Sequence, residues 1–159
     1  RLADDILANK KTQGLILSGP FGCGKTHIAC AVINILTNEA KKAQFWPCFE
    51  ILDAIKDSFA IPDAINPIES ISDVPILVID DLGNERIAND QRGDWAREQI
   101  FRIAYNREIH NLPTVITTNL NRNEFKQRLG GATISRFFSS CNWIDVQAPD
   151  YRLQRRLQK

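Results

Sequence analysis

Apolar residues recur along the chain in a pattern that predicts short buried strands separated by helices. The predicted strands cover residues 15–18, 44–48, 76–80, 113–118 and 142–147. Apolar residues spaced three and four apart predict the helices, which cover 25–38, 49–59, 90–110, Asn123 to Leu129 and Ile134 to Phe138. Alternating strands and helices are typical of a parallel sheet with helices on both faces. The pattern therefore predicts one α/β domain over residues 1–159.

The same pattern predicts which helix faces pack on the sheet. For the first helix the apolar face consists of Ile28, Ala29, Val32, Ile35 and Leu36. For the second helix it consists of Leu52, Ile55 and Phe59. Pro47 has no N–H to donate to a neighbouring strand, so residues 44–48 are expected at an edge of the sheet. Residues 60–75 contain three prolines and are expected to form a loop with one helical turn.

A glycine-rich loop lies between the first strand and the first helix. It fits the pattern G-x-x-x-x-G-K-[ST], and a chance match is disfavoured by the strand before it and the helix after it. The backbone N–H groups of such a loop bind phosphate, its lysine reaches the β- and γ-phosphates, and its hydroxyl binds Mg²⁺. The predicted nucleotide-binding residues are Gly19, Pro20, Phe21, Gly22, Cys23, Gly24, Lys25, Thr26 and His27, with Thr26 also at the metal.

Polar residues follow two of the predicted strands. In the run "ILVIDDLG" the buried strand ends with two adjacent carboxylates, Asp80 and Asp81, and strand alternation is expected to send their side chains in different directions. Asp80 then suits the Mg²⁺ shell, and Asp81 suits the attacking water as general base; an acidic turn is the alternative. Asn119 follows the strand at 113–118. If that strand lies between the first and third strands, Asn119 is expected near the γ-phosphate and the attacking water, where it would report the nucleotide state. Otherwise it is an ordinary turn residue.

Composition limits the other classes of function. No apolar run is long enough to cross a bilayer, and "RLADDILANKK" is a charged segment rather than a signal peptide. The four cysteines lack the spacing of a zinc site, which favours reduced thiols in a cytoplasmic protein. With only two histidines, a histidine metal site or a Ser/His/Asp triad has little support.

Charge is distributed unevenly. Residues 1–120 carry 12 basic and 16 acidic side chains, whereas 121–159 carry 8 basic and 3 acidic ones. The basic part could face phosphates or an acidic neighbouring subunit, although a solvated helix explains it equally well. Residues 57–85 contain seven acids and no Lys or Arg, so DNA contact is expected elsewhere. The basic candidates are Arg86, Arg92 and the C-terminal arginines.

Taken together, five segments resemble the bacterial and phage replicative helicase loaders of the DnaC/DnaI type. These proteins are AAA+ ATPases with IstB-like relatives. The segments are "GPFGCGKTH", "LVIDDLG", "WAREQIFRIAYNREIHNLPTVITTNL", "ISRF" and "DYRL". The resemblance implies a three-layer P-loop NTPase core of the AAA+/ASCE type, with a five-stranded parallel sheet of order 5-1-4-3-2 and no C-terminal helical lid.

The resemblance also implies roles for three residues. Asn119 matches the sensor 1 residue, and Arg136 matches the arginine finger that reaches the nucleotide of the next subunit. Arg152 matches an arginine near the end of the family's ATPase core and is assigned to the nucleotide. Asp81 stands where AAA+ proteins usually have Glu and is one methylene shorter, so slow hydrolysis is expected.

The implied function is that of an ATP-binding and ATP-hydrolysing helicase loader using ATP/ADP and Mg²⁺. Such a loader assembles into a nucleotide-dependent oligomer on single-stranded DNA and helps load the replicative helicase. A membrane is not among its expected partners. The chain begins at Arg1 and contains no Met, so an N-terminal helicase-binding region is expected outside it. Two alternatives remain open: an IstB-type transposition helper acting on duplex DNA, and a nucleotide switch without significant turnover.

Overall fold

Five short strands rich in Ile, Leu, Val and Thr form one parallel sheet. The computed structural model describes residues 14–38, 42–61, 67–84 and 91–157. The strands are β1 (Gly14–Ser18), β2 (Ala43–Pro47), β3 (Ile76–Asp80), β4 (Thr114–Thr118) and β5 (Cys141–Asp145). Their order is β2-β3-β4-β1-β5, which confirms the predicted order. All four pairings are parallel, so the carboxyl ends of the strands share one edge.

Helices connect these strands within the described ranges. They are α1 (Lys25–Asn38), α2 (Cys48–Phe59), α3 (Pro67–Ser72), α4 (Gln91–Ile109), α5 (Arg122–Leu129), α6 (Gly131–Ser140) and α7 (Tyr151–Leu157). The predicted elements are found within a few residues of their expected bounds. Helix α3 supplies the helical turn expected in the proline-containing segment. Helix α7 was not among the predicted elements, and the charged segment "RLADDILANKK" lies outside the described residues.

The sheet is buried on both faces, as expected for parallel strands. On one face, α1 packs through Ala29 on Leu17, Val78 and Val115, with Val32 and Ile33 beside them. On the other face, helices α2 to α6 cover a larger core that includes Ile16, Leu77, Ile79 and Ile116.

Two helix faces differ from their predicted composition. Ile28 and Ile35 of α1 are 42% and 49% exposed, because the helix turns Ala29, Val32 and Ile33 toward the sheet. The spacing of apolar residues is compatible with burial of either set of side chains.

Phe59 was predicted to face the core and is 68% exposed instead. It is the last residue of α2, whose buried face is formed by Cys48, Ile51, Leu52 and Ile55. Its ring packs edge-on against Trp95 of α4, with the centroids 6.5 Å apart. The end of the helix therefore contacts a neighbouring helix rather than the sheet.

A single residue, Gly130, separates α5 from α6. Asn121 and Glu124 form a capping box that starts α5, each side chain accepting from the other residue's backbone N–H. Gly130, with φ of +80°, ends α5 and lets the chain turn directly into α6. This turn fixes the direction of α6, which carries Arg136.

Arg107 joins the two segments that lead into β3 and β4. Its guanidinium is 2% exposed and donates to the carbonyls of Ser72, Val74 and Pro113 and to the Thr114 hydroxyl, over 2.7 to 2.9 Å. Burial lowers the pKa of Arg107 from its usual range to about 10. These contacts lie at the amino-terminal ends of the strands, whereas the glycine-rich loop lies at their carboxyl ends.

Candidate nucleotide-binding site

The glycine-rich loop leads directly from β1 into the first turn of α1. Gly22 and Gly24 have φ of +72° and +94°, a region that glycine enters at little cost. The first helical hydrogen bond runs from Ile28 N–H to Gly24 O over 3.0 Å. The N–H groups in the first turn of a helix have no acceptor within the helix, and they carry its positive dipole end. This geometry suits phosphate.

The side chain of Lys25 lies across the loop. It is only 7% exposed, and its ammonium donates to Gly19 O, Pro20 O and Asn119 Oδ1 at 2.9, 2.7 and 2.7 Å. An ammonium has three protons, so these bonds use all of them. A phosphate oxygen bound by Lys25 therefore has to replace one of these acceptors.

Thr26 and Asp80 lie next to each other beside the loop. The Thr26 hydroxyl donates to Asp80 Oδ1 over 2.9 Å, and the Thr117 hydroxyl donates to the same oxygen over 2.6 Å. Mg²⁺ prefers oxygen ligands and is usually held by one or two protein oxygens together with phosphate and water. The hydroxyl and carboxylate of this pair fit such an ion.

Asp81 points away from Asp80 and enters a second set of hydrogen bonds. Its Oδ1 accepts from the side-chain amides of Asn119 and Asn84, at 2.7 and 2.8 Å. The side chains of Asp80 and Asp81 point in different directions, as predicted, but the cause is a turn after the strand rather than strand alternation. Strand β3 ends at Asp80, and Asp81 has φ of +62°, an uncommon value for a residue with a side chain.

Asn119 connects the loop lysine to Asp81. Its Oδ1 accepts from Lys25 and its Nδ2 donates to Asp81, and no other orientation fits, because lysine only donates and a carboxylate only accepts. This follows from the sheet order, which places β4 between β1 and β3. The structure therefore brings five of the predicted residues together: Lys25, Thr26, Asp80, Asp81 and Asn119.

The segment after β5 crosses the glycine-rich loop. Val146 N–H donates to Ser18 O over 2.6 Å, and Tyr151 N–H donates to Gly22 O over 3.1 Å. Asp150 Oδ1 accepts from Arg152 N–H over 2.8 Å at the start of α7. Arg152 directly follows Tyr151, whose N–H contacts the loop, and its own side chain is exposed. The remaining predicted loop side chains, Pro20, Phe21 and His27, are also exposed.

Arg136 lies on α6, and its contacts are to α4 and to its own helix. Its guanidinium carbon is 4.6 Å from the ring centroid of Phe101 and 5.2 Å from that of Tyr105. Its Nε is 3.6 Å from Glu108 Oε2. These contacts do not join it to the Lys25–Asn119 network of the same subunit.

Three further residues of this site, Thr117, Asn84 and Asp150, were not predicted from the sequence. Thr117 accepts from Asp81 N–H over 2.8 Å as well as donating to Asp80, so it links the two aspartates. Asn84 contacts Asp81, and Asp150 contacts the loop. Asp150 has a signal, because Asp directly before a helix is a common N-cap. Thr117 has none, since its role depends on the packing of β3 against β4. Asn84 contacts Asp81 within the turn that follows β3.

A membrane-spanning helix, a metal cluster and a disulfide are all absent from the described residues. None of their helices has the length and apolar character that a membrane span requires. Within the same ranges, His, Cys, Asp and Glu form no cluster of three or more that could hold a metal ion. All four cysteines are free thiols, three of them buried. The DNA-contact candidate Arg86 and the side chain of Arg92 lie outside the described residues.

Fold and site together define a P-loop domain of the AAA+ type. The sheet order, the loop after β1, the aspartates after β3 and the asparagine after β4 are its features. A family model described as "IstB-like ATP binding protein" matches residues 6–159, and the chain belongs to this family.

The curated relatives include two helicase loaders. The chain is 26% identical over 117 residues to the replicative helicase loader DnaI of Bacillus subtilis (strain 168), covering 73% of this chain and 36% of that protein. It is 28% identical over 140 residues to the replicative helicase loader DnaC of Escherichia coli (strain K12), covering 86% of this chain and 55% of that protein. The chain thus spans about half or less of these relatives' lengths.

A solved structure shows the same architecture. The crystal structure of the DnaC helicase loader superposes with a TM-score of 0.78 at 25% identity, covering 91% of this chain and 86% of that chain.

Proposed function

We propose that this domain binds and hydrolyses ATP with Mg²⁺, and that it does so as a helicase loader during DNA replication. The observation that carries the proposal is the continuous hydrogen-bonded path from Lys25 through Asn119 to Asp81. This path joins the residue that would hold the phosphates to the residue that would activate water. The names of the relatives support the loader role, and residues 1–159 would act as one ATPase domain.

Each residue has a distinct task in this proposal. The loop from Gly19 to Thr26 binds the phosphates, and Lys25 exchanges a carbonyl for a phosphate oxygen. Thr26 and Asp80 hold Mg²⁺, which neutralises charge on the phosphates when bound. Asp81 accepts the proton of the attacking water, and Asn119 orients both the Asp81 carboxylate and this water.

The remaining parts of the proposal concern assembly. Arg136 completes the nucleotide site of a neighbouring subunit, so hydrolysis depends on assembly, while Arg152 contacts the nucleotide from α7. Hydrolysis is slow because Asp81 reaches less far than the usual Glu. The oligomer assembles on single-stranded DNA in the cytoplasm and delivers a replicative helicase.

A second candidate is suggested by the matching family, which is described as IstB-like. In this candidate the domain assembles on duplex DNA as a transposition helper. A nucleotide switch without significant turnover is the third, and a shortened acid at position 81 favours it. The three differ in DNA preference and in turnover, and both can be measured.

The experiment combines hydrolysis with sedimentation. Wild type, Lys25→Ala and Asp81→Asn are compared for nucleotide affinity and for phosphate release over a range of protein concentrations. We expect Lys25→Ala to lose tight binding, and Asp81→Asn to keep binding but lose turnover. Unchanged affinity in Lys25→Ala would refute the site. Equal turnover in wild type and Asp81→Asn would favour the switch.

Sedimentation with Mg²⁺ and a non-hydrolysable ATP analogue then tests whether the protein assembles on single-stranded or on duplex DNA. Growth of the complex on single strands supports the loader. Growth only on duplex DNA moves the assignment to the transposition helper, and no growth on either contradicts assembly of this chain on DNA.

A further inference from the structure

The guanidinium of Arg136 rests on two aromatic rings of α4. Phe101 and Tyr105 are four residues apart, so they lie on the same face of the helix. Their rings stack with centroids 6.1 Å apart, and the Arg136 guanidinium carbon is 4.6 and 5.2 Å from the two centroids. A guanidinium within about 6 Å of a ring centroid is attracted to the ring by a cation–π interaction.

Glu108 adds a carboxylate on the same side of α4. Its Oε2 is 3.6 Å from Arg136 Nε, while its Oε1 accepts a hydrogen bond from Ser139 Oγ over 2.6 Å. Within α6, Arg136 Nη1 donates to Ala132 O over 3.0 Å. The arginine is therefore held by rings, by a carboxylate and by its own helix.

This arrangement leaves part of the cation at the surface. The Arg136 side chain is 25% exposed, and that of Glu108 is 34% exposed. Tyr105 is 43% exposed, so its ring forms part of the outer surface of α4. Contacts this close to solvent contribute little to folding, yet they restrict a side chain that otherwise samples many rotamers.

We propose that Phe101, Tyr105 and Glu108 form a cradle that positions Arg136 to enter the nucleotide site of a second copy of this chain. Tyr105 and Glu108 are then positioning residues for hydrolysis in the neighbouring subunit. This inference rests on the proposed function, which gives Arg136 its role. Misplacing a catalytic group by about 1 Å can cost about 100-fold in rate, so support of this kind has a measurable effect.

The test uses two variants, each with a matched control. Glu108→Gln keeps the acceptor for Ser139 and removes only the charge. Its control is Glu98→Gln on the same helix, where the carboxylate pairs with Arg102 over 2.6 Å and has no contact with Arg136 in the described structure. Tyr105→Leu removes the ring, and Tyr105→Phe keeps it.

The expected result is a fall in assembly-dependent hydrolysis per subunit. We expect about fivefold for Glu108→Gln and about tenfold for Tyr105→Leu, as one or two contacts of this class are lost. The nucleotide Kd of the isolated subunit, the KM for ATP and the unfolding midpoint should stay at wild-type values. Tyr105→Phe should retain most of the rate, and Glu98→Gln all of it.

Mixing subunits shows whether the defect acts in the neighbour. Asp81→Asn subunits bind nucleotide and carry an intact cradle, but they do not hydrolyse. Added to Glu108→Gln subunits, they should raise phosphate release above that of either variant alone. Asp81→Asn/Arg136→Ala subunits should not do so.

The outcomes separate this inference from the proposed function. If Arg136→Ala lowers assembly-dependent hydrolysis while Tyr105→Leu and Glu108→Gln do not, the cradle is refuted and the finger stands. If Arg136→Ala has no effect at any concentration, or if wild type shows no hydrolysis, the finger and the cradle both fail. Faster hydrolysis in Glu108→Gln would mean that the carboxylate restrains Arg136, which contradicts positioning. A lower unfolding midpoint with the lower rate would assign these residues a structural role.

Discussion

The carboxylate of Asp150 occupies the space that a side chain at Gly22 would need. A Cβ atom at Gly22 would overlap Oδ1 of Asp150, and Gly22 has φ of +72°. The same oxygen accepts from the N–H groups of Arg152 and Leu153, at 2.8 and 3.2 Å, and so caps α7. The phosphate-binding loop and the helix that carries Arg152 are thus packed directly against each other.

Gly22→Ala should weaken both folding and nucleotide binding. The strained backbone costs about 1–3 kcal/mol, and the overlap with Asp150 adds to it. Gly130→Ala is the matched control, because Gly130 has φ of +80° and open space around it, so it carries strain without overlap. Chemical denaturation and nucleotide titration measure the two effects.

Repeating Gly22→Ala in an Asp150→Ala protein tests whether the Asp150 carboxylate causes the loss of stability. In an Asp150→Ala protein the obstructing carboxylate is gone, so Gly22→Ala should cost less stability than it does in wild type. Equal costs in the two backgrounds would show that the carboxylate is not the obstacle.

Thr117→Val should weaken the metal site while keeping the shape of the side chain. Thr117 is 1% exposed and its hydroxyl links Asp80 Oδ1 to the Asp81 N–H. Its loss should cost about 1 kcal/mol of folding free energy, because the part-buried Asp81 N–H and Asp80 Oδ1 each lose a hydrogen-bond partner. The Mg²⁺ concentration for half-maximal nucleotide binding should rise.

Thr118→Val is the control for this prediction. Its buried hydroxyl also makes two hydrogen bonds, to Leu82 O and from Leu120 N–H. It should lose similar stability without a change in Mg²⁺ dependence. Equal Mg²⁺ dependence in both variants would contradict the assigned role of Thr117.

Arg107→Met should be among the more destabilising single changes on α4. It leaves three carbonyls and one hydroxyl without their donor, and we expect a loss of about 3 kcal/mol in urea unfolding. The lowered pKa of Arg107, about 10, keeps the side chain charged at pH 7. The loss should therefore not change with pH near neutrality.

Arg102→Met controls for the removal of an arginine from the same helix. Its side chain is 54% exposed, and it pairs with Glu98. Its loss should change stability by no more than about 0.5 kcal/mol. A comparable loss in both variants would mean that the four bonds of Arg107 contribute nothing net.

Cys141 should resist thiol reagents while the protein is folded. Burial raises its pKa from 9.0 to about 11, so at pH 8 its thiolate fraction is about 100-fold smaller than that of an ordinary thiol. Cys30, which is less buried, is the control and should react first. Mass spectrometry after timed labelling distinguishes them, and equal rates would contradict the burial of Cys141.

The same shift has a defined sign for stability. A thiol with a raised pKa contributes stability that is complete below pH 9.0 and is lost as pH rises through about 11. In Cys141→Ser this alkaline loss should be smaller than in wild type.

Much of the fold could be predicted because it depends on local pattern. The bounds of α1 and β3 follow from periodicity and from the glycine-rich loop, which needs only neighbours in sequence to adopt its shape. The strand order came from a resemblance to a known family, since periodicity does not say which strands pair.

The buried face of a helix was harder to predict from the sequence. Ile28 and Ile35 of α1 are apolar and exposed, while Ala29 and Ile33 face the sheet. Phe59 contacts Trp95 instead of the core. Both outcomes depend on how an element is rotated against its neighbours, and hydrophobic spacing leaves that rotation free within about one residue.

The sequence by itself determined the identity of the phosphate-binding loop, the two aspartates and the asparagine, because each is marked by its position beside a strand. Only the tertiary structure decided how they meet. Lys25 and Asn119 are 94 residues apart and hydrogen-bond because β4 lies beside β1. Thr117 joins the aspartates because β4 also lies beside β3, and Asp150 reaches Gly22 because the chain crosses the loop after β5. Contacts between distant residues depend on strand order and on the path of the chain, which no local pattern contains.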